Sequence, residues 1–496
     1  MFIKLIRISF FAIILFSSNK FVLSISNMQG QQPQPSTTRS FQSRNPFNNE
    51  LIAEFPFLSN EELTQKIEKS WEAFKNYRET DLASRCEKIL KLASLIDENV
   101  DKYAQIITEE MGKPFLTAKS EVQKSAVHCR FYAQNAEKFI KSEIVTTEHK
   151  RSQVEYHPLG PLFHIIPFNY PFFLVFKGGI SALLVGNTIL HRTADSTPRC
   201  GKAVEELMIQ AGFSNGEFQN VYTSTEQTEL VLSHKYIRGV SFTGSTRAGR
   251  SIASIAGKYA KKAVMELGGS DPFIVLDDAN IEKAVNLAMT SRLSNCGQVC
   301  FSGKRFLIDS QIYDQFKDKL LEKLPSFKVG NPMNDDTQLG PLARPDLLAN
   351  IERQVKEAVD QGAKLIYGGK KSEEPELKNG NFYLPTICEV EKENLLIREE
   401  VFGPVFTLIK VNGEKEAVQV ANDTEYGLGC VIVSSNLERA ETLGKKIDSG
   451  FVFVNSVVRS DSRLPSGGIK GSGFGRECGE FGVHEFANIK TVVINE

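Results

Sequence analysis

A cysteine acts as a nucleophile only through its thiolate, and Cys300 lies in a segment suited to forming one. The stretch SNCGQVCFSGKR (294–305) places it in a polar, glycine- and asparagine-containing loop rather than on an apolar face. Most lone cysteines are inert small hydrophobes. A free thiol titrates near about 8.5, so a catalytic one needs a base or a positive field beside it. Two other segments hold the missing parts. Glu266 in MELGGSDP ends a predicted strand beside two glycines, where a carboxylate reaches a thiol or a water. Asn169 in IPFNYPFF is framed by Pro167 and Pro171, an arrangement that directs its amide at a developing oxyanion.

A fourth segment points to a bound anion. In GSTRAG (244–249) Gly244 ends a strand, Ser245 and Thr246 open a helix, and Gly249 allows close approach. Backbone N–H groups at such a helix start suit a pyrophosphate. The G-x-G-x-x-G fingerprint is absent, and small residues at a strand-to-helix turn also serve packing alone. The eight cysteines include no C-x-x-C pair, which argues against zinc and against a disulfide scaffold, and no metal site is expected. Cys296, four residues before Cys300, is either a spectator thiol or a redox partner.

These residues need a framework. With 496 residues, 41% apolar and 24% charged, the chain reads as a soluble globular protein of about three domains. A formal net charge of -1 gives no general pull toward nucleic acid or an anionic membrane. Helical spacing dominates from about Ser59 to Phe139, with Ser59 or Asn60 as a helix start. Alternation over Ile144 to Tyr156 predicts an extended insert. From Thr188 the pattern repeats: strand TILH (188–191) before helix Pro198 to Ala211, NVYTS (220–224) before Glu226 to Ser233, and GVSFTG (239–244) before Ser245 to Tyr259. Such units build a parallel sheet with helices on its faces, and ligands bind beyond its carboxyl ends. VMELGGSDPFIVL (264–276) starts a second α/β region, with helices at Ile281 to Met289 and Leu348 to Gln361. NIKTVVINE (488–496) predicts a terminal strand that pairs with the insert or with another subunit.

Residues 1–49 carry Lys4, Arg7, Lys20, Arg39 and Arg44 but no acid, and Phe10 to Phe16 are all apolar. That pattern predicts a cleavable targeting presequence over 1–38, leading into an organelle or the secretory route. No membrane span is expected in the mature domain.

PFNYP, FTGST, ELGGSDP, GQVC, EEVFGPV and GGIKGSGFGRE occur in the order and spacing of the aldehyde dehydrogenase superfamily, so the chain resembles that family from about Arg39 to Glu496. MGKP (111–114), ELGGSDPFIVL, SDSRLPSGG (460–468) and the ending GVHEFANIKTV are most similar to bacterial-type succinate-semialdehyde dehydrogenases. The resemblance implies two doubly wound α/β domains plus a small β oligomerisation element. Residues 39–141 and 160–266 would bind the dinucleotide, 267–480 would form the catalytic domain, and 142–159 with 481–496 would build a homodimer or homotetramer contact. It implies that Cys300 attacks an aldehyde, that Asn169 and the Cys300 N–H hold the oxyanion, and that Glu266 activates the water that hydrolyses the thioester. Glu400 and Phe402 would meet the nicotinamide end of NAD or NADP, and Ser245 the pyrophosphate. Where relatives carry K-P-A-E this chain has Arg192-Thr193-Ala194-Asp195. An acid there repels a 2′-phosphate, so Asp195 leans the choice toward NAD, while Arg192 accepts either cofactor.

The substrate carboxylate of a semialdehyde needs a cation. Lys177 stands where relatives have an arginine, and is otherwise a solvated helix lysine. Ser294 replaces a second arginine of some relatives, and Ser460 and Arg463 are possible substitutes. Competing outcomes on the same scaffold are capture of the thioester by coenzyme A and a catalytically silent binding protein. Retention of Cys300, Asn169 and Glu266 argues against the silent form. A cysteine hydrolase would need a histidine segment beside Cys300, and none is evident.

Overall fold

Ser59 starts the first helix (Asn60–Tyr77) by a reciprocal cap: its side chain accepts from the Glu62 N–H, and the Glu62 carboxylate accepts from the Ser59 N–H at 2.8 Å. Such a cap contributes about 1 kcal/mol and fixes where the chain turns inward. The helices Leu82–Glu98 and Phe115–Ile140 follow, and pack Ile89, Leu92 and Ile96 with Val122, Ala126 and Cys129 into one core.

The computed structural model describes residues 40–496, which form one compact unit; the presequence expected over 1–38 lies outside the described residues. Two large sheets organise it. In the first, the strands run in the order Gly473–Phe474, Lys262–Glu266, Gly239–Thr243, Pro161–Ile165, Thr188–Arg192, Phe218–Asn220. All pairings are parallel except that of Gly473–Phe474. Pro161–Ile165 and Gly239–Thr243 are buried at every residue, as a sheet covered on both faces requires. One face is covered by the Phe173–Val185 helix and its neighbours, the other by Asn60–Tyr77 and Thr246–Lys258. Strand order reverses on either side of Pro161–Ile165, so the carboxyl ends beside it form the crevice where such sheets take ligands.

The second sheet runs Lys364–Tyr367, Thr386–Glu389, Val405–Val411, Gly303–Asp309, Asp271–Val275, Val431–Val433, Phe453–Val454, parallel but for its first strand. A third, antiparallel sheet pairs Glu143–Val145 with Arg151–Pro158 and that strand with the terminal Ala487–Ile494. Ile144, Val145, Ile489 and Val493 are exposed on it. Among the described residues no helix is long and apolar enough to cross a membrane.

Three details differ from the sequence reading. The strand expected over 220–224 is only Phe218–Asn220, and the helix after it begins at Thr228. The run 264–276 is not one element: Lys262–Glu266 belongs to the first sheet and Asp271–Val275 to the second, with Leu267–Ser270 crossing between them. Within the span 267–480 the chain also returns to the first sheet, where Gly473 pairs with Glu266. A Cβ on Gly473 would lie 1.9 Å from the Met265 carbonyl oxygen, and its φ of 114° suits glycine alone.

Candidate active site

The crossing Leu267–Ser270 brings the two sheets' reactive groups together. Gly268 and Gly269 have no side chains because other groups occupy that space: a Cβ would stand 2.3 Å from Glu400 Oε2 at the first and 2.9 Å from the Cys300 carbonyl oxygen at the second. Glu266 ends the last parallel strand of the first sheet, Cys300 precedes the central strand of the second, and Glu400 precedes Val405–Val411. Lys304, fully buried, ties the last two: its ammonium is 3.1 Å from Glu400 Oε1 and donates to the Cys300 carbonyl.

The loop before Cys300 is strained. Asn295 (φ 52°), Cys296 (φ 57°) and Gly297 (φ 73°) are all left-handed, which costs roughly 1–3 kcal/mol at each non-glycine residue. Arg292, fully buried, holds the turn by donating to the carbonyls of Gly297 (2.6 Å), Val401 (3.2 Å) and Gly303 (3.2 Å). Asn295 Nδ2 donates to the Asn169 carbonyl at 3.0 Å, which joins this turn to the first sheet. The same carbonyl accepts from Lys113 at 2.9 Å, and Lys113 is paired with buried Glu121. Asn169 is therefore set by Lys113 and Asn295 as well as by its flanking prolines. Its Nδ2 gives one N–H to the Gln298 carbonyl at 2.9 Å, and an amide carries two such donors, so one is left for an oxyanion. Asn169→Ala is expected to lower kcat by roughly 100- to 1,000-fold with little change in KM, read by steady-state kinetics; near-normal turnover would remove Asn169 from the oxyanion site.

Burial pushes the Cys300 thiol up to about 12, against the pull of Lys304 and Lys177. The resting group is thus S–H, and attack requires its proton to leave, which the positive fields of Lys304 and Lys177 favour. Glu266 is buried, its Oε1 has no hydrogen-bond partner, and burial raises its carboxyl above the ordinary range while Lys177 opposes the rise. A carboxylate so poised serves as a general base near neutral pH.

Lys177 does not stand where a substrate carboxylate would find it free. It is 3% exposed, 2.9 Å from Glu477 and 3.9 Å from Glu266. Burial alone would lower its ammonium, and the two carboxylates overcome this and hold it charged. The expected anchor is instead a counter-charge for Glu266. Arg463 is likewise engaged, 2.6 Å from Asp461 in its own loop, and Ser460 is buried. Ser294 is exposed. Cys296 packs in the core around the second sheet and burial pushes its thiol up to about 12, which favours the spectator reading over a disulfide with Cys300.

At the crevice of the first sheet, Ser245 caps the Thr246–Lys258 helix with its side chain, accepting from the Ala248 N–H at 3.4 Å. Thr246 Oγ1, in the first turn, is buried with no partner. Gly244 ends the strand with its N–H donating to the Glu266 carbonyl at 3.0 Å. Gly249 is a correction: it is buried, and a Cβ there would be 2.2 Å from Leu267, so its close approach is to that side chain and not to a ligand. Arg192, at the end of its strand, donates to the Thr223 carbonyl (3.0 Å) and to Asp195 (2.7 Å). Phe402 packs edge-on to Phe168, 6.2 Å between centroids. These residues flank the crevice from both sheets. Lys113, Glu121 and Arg292 escaped the sequence reading because a buried charge looks like a surface one, and Asn295 because its neutral amide looks like that of any polar loop; Lys304, four residues past Cys300 at a strand start, was the one with a local signal.

Residues 34–492 match the aldehyde dehydrogenase family. The chain belongs to the aldehyde dehydrogenase family. It is 39% identical over 91% of its length to a probable succinate-semialdehyde dehydrogenase [NADP(+)] of Synechocystis sp., covering 98% of that protein. The succinate semialdehyde dehydrogenase [NAD(P)+] of Escherichia coli K12 is 36% identical over 91% of this chain and 97% of its own. A solved structure of the succinic semialdehyde dehydrogenase of Streptococcus pyogenes, in complex with NADP+, is 37% identical with a TM-score of 0.89, over 92% of this chain and all of that one. This aldehyde dehydrogenase has the α/β fold of its family and oxidises an aldehyde with NAD(P).

Proposed function

We propose that this enzyme oxidises succinate semialdehyde to succinate through a thioester on Cys300. The observation that carries the mechanism is the convergence, at one crossing between the sheets, of Cys300, Asn169 and the buried Glu266 carboxylate, whose Oε1 has no hydrogen-bond partner. Cys300 releases its proton to solvent water in the crevice, the positive fields of Lys304 and Lys177 favouring the thiolate, and the sulfur attacks the aldehyde carbon. The Asn169 amide and the Cys300 N–H hold the oxygen that becomes negative. The dinucleotide, when bound, supplies the acceptor for the hydride that leaves this carbon. Ser245, the open N-terminal turn at Thr246, Arg192, Glu400 and Phe402 fit such a cofactor: helix N–H groups and a guanidinium for its phosphates, a carboxylate and a ring for its ribose and nicotinamide. Glu266 then takes a proton from water, the hydroxide displaces the Cys300 sulfur, and the carboxylate leaves. That role for Glu266 favours water over coenzyme A as acceptor, and an assay for acyl-CoA product distinguishes the two.

The lean toward NAD is not supported. Asp195 is paired with Arg192, which offsets the charge that was to repel a 2′-phosphate, and relatives are named for NADP(+). We therefore propose that NADP is used as well as NAD. The substrate reading rests on the names of the relatives and is tested by kcat/KM for succinate semialdehyde against butanal, with each cofactor. A charge-assisted contact to the carboxylate predicts a preference of roughly ten- to a hundred-fold for the semialdehyde; equal values for the two aldehydes would overturn it. The third sheet, with its exposed Ile144, Ile489 and Val493, supports assembly into a homo-oligomer, which sedimentation measures. The targeting role of residues 1–38 remains our proposal from their composition, and the mature amino terminus of the native protein tests it.

A further inference from the structure

Both cations expected to hold the substrate carboxylate are committed elsewhere, Lys177 to Glu477 and Arg463 to Asp461. We infer that Lys124 is the residue that binds the distal carboxylate of the substrate, a role that rests on the succinate semialdehyde reading. Lys124 lies on the Phe115–Ile140 helix between two residues that tie that helix to the segment after Asn169 and to the carboxyl-terminal loop. One turn before it, Glu121 Oε1 accepts from the N–H groups of Phe172 (2.9 Å) and Phe173 (3.1 Å), while its other oxygen pairs with Lys113, which in turn holds the Asn169 carbonyl. One turn after it, His128 Nδ1 is 2.7 Å from Ser462 Oγ in the carboxyl-terminal loop.

Helical rise places Lys124 about 4.5 Å along the axis from Glu121 and about 6 Å from His128. It therefore stands between the oxyanion segment and the 460–463 loop. Its ammonium lies 4.1 Å over the ring of Phe173, at the start of the helix that carries Lys177. Glu121 and His128 are buried, whereas Lys124 is open to solvent, at the rim of the same helix face.

The charges around it are Lys177, Glu121 and Asp461, and among the described residues no carboxylate comes within ion-pair distance of its ammonium. A cation flanked by protein but unpaired, beside an aromatic ring, is suited to a small anion arriving from solvent. Flanking protein and Lys177 lower the ammonium to about 8, which leaves it mostly charged at neutral pH. Lys177, which bears on the Cys300 thiol, also bears on the Lys124 ammonium, and Phe173 beneath that ammonium opens the helix that follows the Asn169 segment.

Lys124→Met and Lys124→Arg, assayed with succinate semialdehyde and with butanal, test the assignment. The methionine variant is expected to raise KM for the semialdehyde by roughly ten- to a hundred-fold, with kcat within about threefold and the butanal constants within about twofold. The arginine variant is expected to restore KM to within about fivefold. A wild-type preference for the semialdehyde that survives in Lys124→Met, or an equal effect on both aldehydes, overturns the role of Lys124 alone. A wild-type enzyme with no such preference removes the substrate reading, and the role of Lys124 with it.

Discussion

Cys300→Ala is expected to lower kcat by about ten-thousand-fold or more, the loss that follows when a covalent route is closed, while NADP still binds with near-normal affinity. The size of the effect comes from the site. Asn169 and the strained turn at Asn295 and Cys296 are arranged around the position of this sulfur, and none of them supplies a second nucleophile. The neighbouring Cys296 is no substitute, because its side chain packs among the apolar residues of the second sheet. Fluorescence titration with NADP and a steady-state assay read the two quantities separately. Turnover within about a hundredfold of wild type would show that the reaction does not pass through Cys300.

Glu266→Gln should separate the two halves of the reaction. The amide has the size of the acid and cannot take a proton from water, so one equivalent of reduced cofactor should form per site before turnover slows by roughly 100- to 10,000-fold. A rapid-mixing trace with a burst followed by a slow phase is the expected result. A trace without a burst, or with an unchanged slow phase, would assign the base elsewhere. The pH dependence has a definite sign. Burial raises the Glu266 carboxyl, and only its ionised form accepts a proton, so hydrolysis in the wild type accelerates as pH rises through that raised value. The glutamine variant should lose this limb of the profile.

Much of the site could be read before the fold was known, and the reason is local. Cys300 sits in a polar loop, Glu266 at a strand end before two glycines and Ser245 at a helix start; each of these signals lies within a few residues of the group that acts. What escaped is what depends on distant chain. Lys177 reads as a cation on a helix, and only the approach of Glu477, three hundred positions later, turns it into a buried counter-charge. Lys113 and Glu121 lie in helical sequence like many surface pairs, yet they hold the carbonyl of Asn169. Gly249 looked like a phosphate glycine because nothing nearby in sequence announces Leu267 against it. The split of 264–276 between two sheets was hidden for the opposite reason: both halves are apolar and strand-like, and no local pattern says to which sheet each belongs.

The two glycines at that split tie activity to assembly. Every strand pairing lies within a single sheet, but Glu400 and the Cys300 carbonyl meet the crossing at Gly268 and Gly269, just past Glu266, only when the second sheet is seated on it. During refolding, regained turnover therefore reports docking of the two halves, whereas far-ultraviolet circular dichroism reports only their strands and helices. A lag between the two signals would measure how slowly the halves find each other.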